Sequence, residues 1–356
     1  MARRVVLHVG AMKSGTSYLQ RLMMTNRQLL LDRGVLLPGR VWRDQVGGVV
    51  EILERKRVAT PPRPGAWQAL VDEMAAWDGV GLVSMEFLGP IGLRRIERVV
   101  STLPEGAIDV VVTARDLNRS IPAMWQESLK NGQSFTFDEY VTAIRQNDGP
   151  GNGFWREQTI GAICRRWSEV LGHEHVTLVT VPPPGAPRDT LWRRFAEAVG
   201  MDDEGVEHPS VANESLGAAS VEVLRRLNIR LQDLDFPQYA PVVKHRLAKG
   251  VLAGRRDLEP ALGFEVPSWL PELSDAMIGR LRELGVRVVG DLEDLRPVPV
   301  PGVHPDPGAD DARLDAAVAG LEAVVRALVL DRTRSGKATR EHSAEPASPV
   351  LEPEAG

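Results

Sequence analysis

Residues 4–20, RVVLHVGAMKSGTSYLQ, join an apolar run, a glycine-bounded turn and an amphipathic stretch. Arg4 to Val9 is rich in β-branched residues, the pattern of a strand buried on both faces of a parallel sheet. Leu19, Leu22, Met23, Leu29 and Leu30 then recur at helical spacing, which predicts a helix from about Thr16 to Asp32, ended by Gly34. Between the two, Gly10 and Gly15 have the glycine spacing of the phosphate loop G-x-x-x-x-G-K-[ST]. The lysine breaks that motif. Thr16 stands at its position, and the only lysine nearby is Lys13, inside the turn.

A strand, a tight glycine turn and a helix start make a concave set of backbone amides suited to phosphate or sulfate. Thr16 and Ser17 add hydroxyl donors, and Lys13 adds a compact cation able to reach a bridging oxygen of the ligand. The charge distribution agrees. A net charge of −5 argues against a general nucleic-acid binder, yet residues 1–43 carry eight Arg/Lys and a single acid, Asp32. That bias suits a small anionic ligand held locally. Cys164 is the single cysteine, so no intrachain disulfide forms, and it reads as core filler. No apolar run reaches the roughly 20 residues of a membrane helix, and Lys13 cuts the initial apolar stretch too short for a signal peptide. The expectation is a soluble, cytoplasmic protein without a transmembrane segment.

Strand-like runs recur at Val80–Ser84, Ile108–Thr113 and Val176–Val181, separated by helical patterns at Gly65–Trp77, Leu93–Leu103, Pro122–Lys130, Phe137–Arg145 and Gln158–Leu171. This alternation predicts an α/β fold: a mostly parallel central sheet flanked by helices, P-loop-like, with a helical C-terminal region. Residues 1–295 are expected to form one domain, with the core sheet and ligand site in 4–200. Residues 201–295 are mainly helical, clearest at Val211–Leu231 and Ser274–Leu284. A proline-rich linker follows over 296–310. Leu314, Val318, Leu321, Val325 and Leu328 then mark an amphipathic helix over 311–333, expected to pack back on the domain. Residues 334–356 read as a disordered tail. In parallel sheets ligands bind beyond the carboxyl ends of the strands, where Gly10–Ser17, Met85–Pro90 and Ala114–Ser120 would lie.

K-S-G-T-S after a short strand, and VVVTARDLNRSIPAMWQE at 110–127, resemble two motifs of the sulfotransferases that use 3′-phosphoadenosine 5′-phosphosulfate (PAPS). The resemblance covers residues 4 to about 200 and implies the sulfotransferase fold. It implies that Lys13, Ser14, Gly15, Thr16 and Ser17 hold the 5′-phosphosulfate and that Arg115 meets the 3′-phosphate. Where the family has its 3′-phosphate serine stands Ala123, and Ser120 is the candidate substitute. Lys249–Arg256 is similar to the family's basic closing loop, offering Lys249 or Arg255 to the nucleotide. Relatives place a histidine or glutamate just after a strand near the transfer point, and Glu86 occupies such an edge, as general base. The implied reaction is in-line displacement, with Lys13 and the loop amides stabilising charge on the departing phosphate and a small molecule, sugar or lipid hydroxyl as acceptor. No metal is implied.

The residues alone leave alternatives open. Arg115 also suits a strand-end arginine neutralised by Asp116, and Glu86 also suits a surface acid capping the next segment. His8 reads as a packed core residue, and Trp42, Trp125, Phe154 and Trp155 suit either a pocket lining or the core. A Mg-ATP-dependent kinase or NTPase, or a non-catalytic nucleotide-binding scaffold, shares the loop.

Overall fold

A computed structural model describes residues 4–56, 62–209, 215–305 and 311–324. Six strands, β1 (Arg4–His8), β2 (Val35–Leu36), β3 (Val80–Ser84), β4 (Ala107–Ala114), β5 (Val176–Thr180) and β6 (Arg287–Val289), form one sheet in the order β2-β3-β1-β4-β5-β6. Every pairing is parallel. The first helices are α1 (Thr16–Thr25), α2 (Arg27–Asp32), α3 (Trp42–Ile52), α4 (Ala66–Ala75) and α5 (Leu93–Val100). Then come α6 (Leu117–Lys130), α7 (Phe137–Gln146), α8 (Gly149–Gln158), α9 (Ile160–Leu171) and α10 (Thr190–Val199). Last are α11 (Ala218–Arg230), α12 (Phe236–Tyr239) and α13 (Leu270–Leu284).

The alternation of side chains along each strand builds two cores. Val5, Leu7, Val110, Val112 and Leu178 point to one face, under α3, α4, α5, α9 and α13. Val6, Val111 and Val179 point to the other, under α1 and α10. Leu19 and Leu22 of α1 are fully buried there, each contributing about 1.5–3 kcal/mol of transfer free energy. The sheet is therefore covered on both faces, as parallel sheets require. A third cluster gathers Trp125, Phe137, Tyr140, Phe154, Leu224 and Leu252 from α6, α7, α8, α11 and the π-helix Ala240–Leu252.

The α/β class and the parallel sheet are as the sequence predicts, with local differences. The helix expected over 16–32 breaks at Asn26, whose side chain reaches out to Glu207: Nδ2 donates to its carbonyl at 2.7 Å and Oδ1 accepts from its amide at 2.7 Å. Asn26 thus exchanges helical continuity for an anchor to a distant loop. β6 lies within the region expected to be mainly helical and extends the sheet beside β5. The proline-rich stretch is docked through residue 305: Phe264 and Val300 exchange backbone hydrogen bonds at 2.9 Å, and Asn118 Nδ2 donates to the Val298 carbonyl at 2.8 Å. Residues 311–324 are helical and bury Arg313 and Ala316 while leaving Leu314, Val318 and Leu321 more than half exposed. The remainder of that helix and the tail at 334–356 lie outside the described residues. Among the described residues no helix is long and apolar enough to cross a membrane.

Candidate anion-binding site

β3, β1 and β4 are neighbours, so the three segments leaving their carboxyl ends lie side by side. Backbone pairing continues past the strands: Met85 N donates to His8 O at 2.9 Å and Ala11 N to Thr113 O at 2.8 Å. Lys13 and Arg115 each follow two residues behind the bonded Ala11 and Thr113, at one edge and from adjacent strands. This edge, where connections depart in opposite directions from a central strand, is the usual ligand position of a doubly wound sheet.

The turn is held from beneath. His8 is wholly buried and bridges Ser84 Oγ at 2.8 Å and Thr113 Oγ1 at 3.2 Å. Thr113 Oγ1 in turn meets Ser14 Oγ at 2.7 Å, and Ser14 Oγ donates to the Ala11 carbonyl at 2.5 Å. Burial pushes the His8 imidazole down to about 3, so it stays neutral and acts as a strut. Gly10 has no room for a side chain, since a Cβ there would lie 2.6 Å from both Thr113 Oγ1 and Thr16 Cγ2. Gly15 has φ +85°, and Lys13 adopts the left-handed region too, at φ +63°. A non-glycine residue held there is an informative strain. The consequence is a row of donors: among the described residues the amides of Lys13, Gly15, Thr16 and Ser17 find no protein acceptor. Those of Thr16 and Ser17 open α1 and are left unpaired by helix geometry.

The predicted residues divide into two groups. The amides of Lys13, Gly15, Thr16 and Ser17 and the exposed Ser17 side chain lie at the edge, and the Lys13 ammonium there is ion-paired with Glu127. The Ser14 hydroxyl is instead part of the strut, and Ser120, fully buried on α6, donates its hydroxyl to the Asp116 carbonyl at 2.9 Å. Arg115 Nη2 donates to the Arg119 carbonyl at 2.8 Å. Burial first, then the neighbouring Arg119, lowers the Arg115 guanidinium to about 10 against the opposing pull of Asp116. Asp116 pairs with Arg119, not with Arg115: it caps α6 by accepting from Arg119 N at 2.9 Å and also bonds Arg119 Nε. Among the described residues, Arg115 Nε and Arg119 Nη2 are buried without a hydrogen-bond partner. Buried donors left in this way mark a place for an acceptor. Free loop amides and orphaned guanidinium nitrogens are donors of the kind that phosphate-type groups accept from.

Glu86 is half-buried after β3, with Gln20 Nε2 donating to its Oε2 at 3.2 Å. Arg255 is turned to Glu259 at 3.2 Å and to Asp315 of the terminal helix.

Several residues at this edge escape the sequence. Gln158 Nε2 donates to the Met12 carbonyl at 2.8 Å, fixing the residue before Lys13. Its neighbour Glu157 is pushed above the usual carboxylate range by burial, with Glu86 among the charges that raise it. Lys13 Nζ donates to Glu127 Oε2 at 2.7 Å, and Lys244 Nζ to Glu127 Oε1 at 2.9 Å. Glu127 carries a faint signal, lying one helical turn beyond Ala123 on the same face of α6. A cavity of about 630 Å³ is lined in part by Trp155, Gln158, Leu273, Met277, Arg145 and Arg280, and its lining includes neither the turn nor Glu86 nor Arg115. Of the aromatics singled out, Trp155 lines it, Trp125 and Phe154 are core, and Trp42 packs partly buried on the core.

Among solved structures, a sulfotransferase from Alicyclobacillus acidocaldarius aligns over 65% of this chain and 96% of its own, at 17% identity and a TM-score of 0.41. So distant a likeness speaks to neither activity nor site. No protein-family model and no curated protein sequence matches the chain.

Proposed function

We propose that this chain is a sulfotransferase that moves the sulfuryl group of PAPS to the hydroxyl of a small-molecule, sugar or lipid acceptor. The observation that carries this reading is the pairing, on adjacent strand ends, of a turn with free amides and a buried arginine with an orphaned Nε. Two anion-type sites on adjacent strand ends suit a ligand that carries an anionic group at each end. The donor supplies the sulfuryl group on a phosphate that leaves.

In this reading the turn holds the 5′ end. Lys13 and the amides of Gly15, Thr16 and Ser17 stabilise charge gathering on the leaving oxygen, a preorganised electrostatic role. Arg115 and Arg119 hold the 3′-phosphate, whereas the Ser120 hydroxyl would have to release Asp116 to reach it. Glu86, steadied by Gln20, takes the proton of the acceptor hydroxyl. Positioning and fixed charge supply the catalysis, so transfer proceeds without a divalent cation.

Incubation with radiolabelled PAPS and panels of alcohols, phenols and sugars, in the presence of a chelator, tests this. Expected are a labelled sulfate ester and a fall in turnover of about 10²–10⁴-fold in Glu86→Gln. Mg²⁺-dependent ATP turnover without transfer from PAPS would refute it.

A further inference from the structure

Lys13, Glu127 and Lys244 come from three distant parts of the chain and meet at one carboxylate. Lys13 Nζ and Lys244 Nζ donate to different oxygens of Glu127, and Lys244 also donates to Asn131 Oδ1 at 2.8 Å. The Glu127 side chain is only 12% exposed and that of Lys244 16%. Burial opposes ionisation of Glu127, but the two ammonium groups prevail and hold it well below the usual carboxylate range.

A buried ion triad of this kind is weak evidence for stability, because each ion gives up its hydration. Two of its members also sit in unusual backbone. Lys13 is left-handed, and Lys244 belongs to the π-helix Ala240–Leu252, a conformation that recurs at functional sites. Two cations each gripping one oxygen of the same planar anion is an arrangement that two oxygens of a phosphate or sulfate would also satisfy.

We propose that Glu127 is a resident counter-ion of the anion site, standing between Lys13 and Lys244 where two oxygens of a bound tetrahedral oxyanion would stand, and that Lys244 is the second cation of that site. This rests on the reading of residues 10–17 as an anion turn. Binding displaces the Glu127 carboxylate from both ammonium groups, and the like charges of carboxylate and ligand oppose one another. Glu127 therefore sets a threshold: a ligand must bring at least two negative charges to displace it, which selects phosphate-type groups over carboxylates and halides.

The test uses the full chain, with inorganic pyrophosphate and 3′,5′-adenosine bisphosphate as probes in calorimetry and sulfate in thermal melts. Glu127→Gln is expected to bind pyrophosphate about tenfold more tightly than wild type, and Lys244→Met about tenfold more weakly. Sulfate should raise the melting temperature of Glu127→Gln more than that of wild type, since the anion replaces the missing charge. Unchanged pyrophosphate affinity in both variants overturns the proposal. Should Glu127→Gln not fold, unchanged affinity in Lys244→Met overturns it alone. Bisphosphate binding that falls in Arg115→Ala but ignores both variants overturns the proposal and leaves the nucleotide reading standing. Pyrophosphate binding that responds to both variants, with no bisphosphate binding by wild type, supports the counter-ion and refutes the nucleotide reading.

Discussion

Acid should loosen this protein through His8 before it titrates most carboxylates. The imidazole is completely buried, packs edge-on to Phe195 with ring centroids 4.8 Å apart, and contacts only hydroxyl groups for hydrogen bonding. With no anion beside it among the described residues, it titrates at about 3 in the folded protein against 6.5 in the unfolded chain. Above pH 6.5 both states are neutral and the full stability is present. Below it the unfolded chain binds a proton that the folded one refuses, so stability falls until the pH passes about 3. At about 1.4 kcal/mol per pH unit, the loss is about 2 kcal/mol at pH 5 and about 4 kcal/mol at pH 3. That is a large part of the 5–15 kcal/mol typical of a domain. Urea denaturation of wild type and His8→Gln between pH 8 and pH 4 reads it, because subtraction cancels the other histidines. The wild-type curve should drop about 2 kcal/mol further than that of the variant between pH 6.5 and pH 5. Parallel curves would refute the account of His8 as a neutral strut.

Two substitutions probe the turn and its support. Gly15→Ala forces a side chain into φ +85° with its Cβ 2.4 Å from Leu191 Cδ2; a loss of about 1–3 kcal/mol in denaturation is expected, together with weaker pyrophosphate binding. Asn26→Ala strands the backbone amide and carbonyl of Glu207, and should cost about 1–3 kcal/mol without altering pyrophosphate affinity measured by calorimetry.

The parallel sheet was legible because its strands are buried on both faces. Val80–Ser84 matches the sequence reading residue for residue, and Ile108–Thr113 differs by one residue at each end. β2 and β6 escaped because two or three residues carry no periodicity; their pairing with Val80 and with Thr177–Val179 is decided by packing. Because proline disfavours a helix interior, the sequence pattern starts α6 only at Pro122, whereas Asp116 caps the helix six residues earlier and Pro122 is accommodated inside it. At the site, the turn was legible as a motif, but its electrostatics were not. Nothing in the sequence joins Lys13 to a glutamate 114 residues away or to Lys244 beyond it. Nor does a serine announce that its hydroxyl will be taken by a neighbouring carbonyl, as Ser14 and Ser120 are.

Calorimetry of 3′,5′-adenosine bisphosphate, in chelator, on wild type, Lys13→Ala and Arg115→Ala bears most directly on whether one nucleotide spans the edge between the turn and the end of β4. The expected result is metal-independent binding weakened by each substitution, by about tenfold or more in Arg115→Ala. Full wild-type affinity in both variants would contradict it.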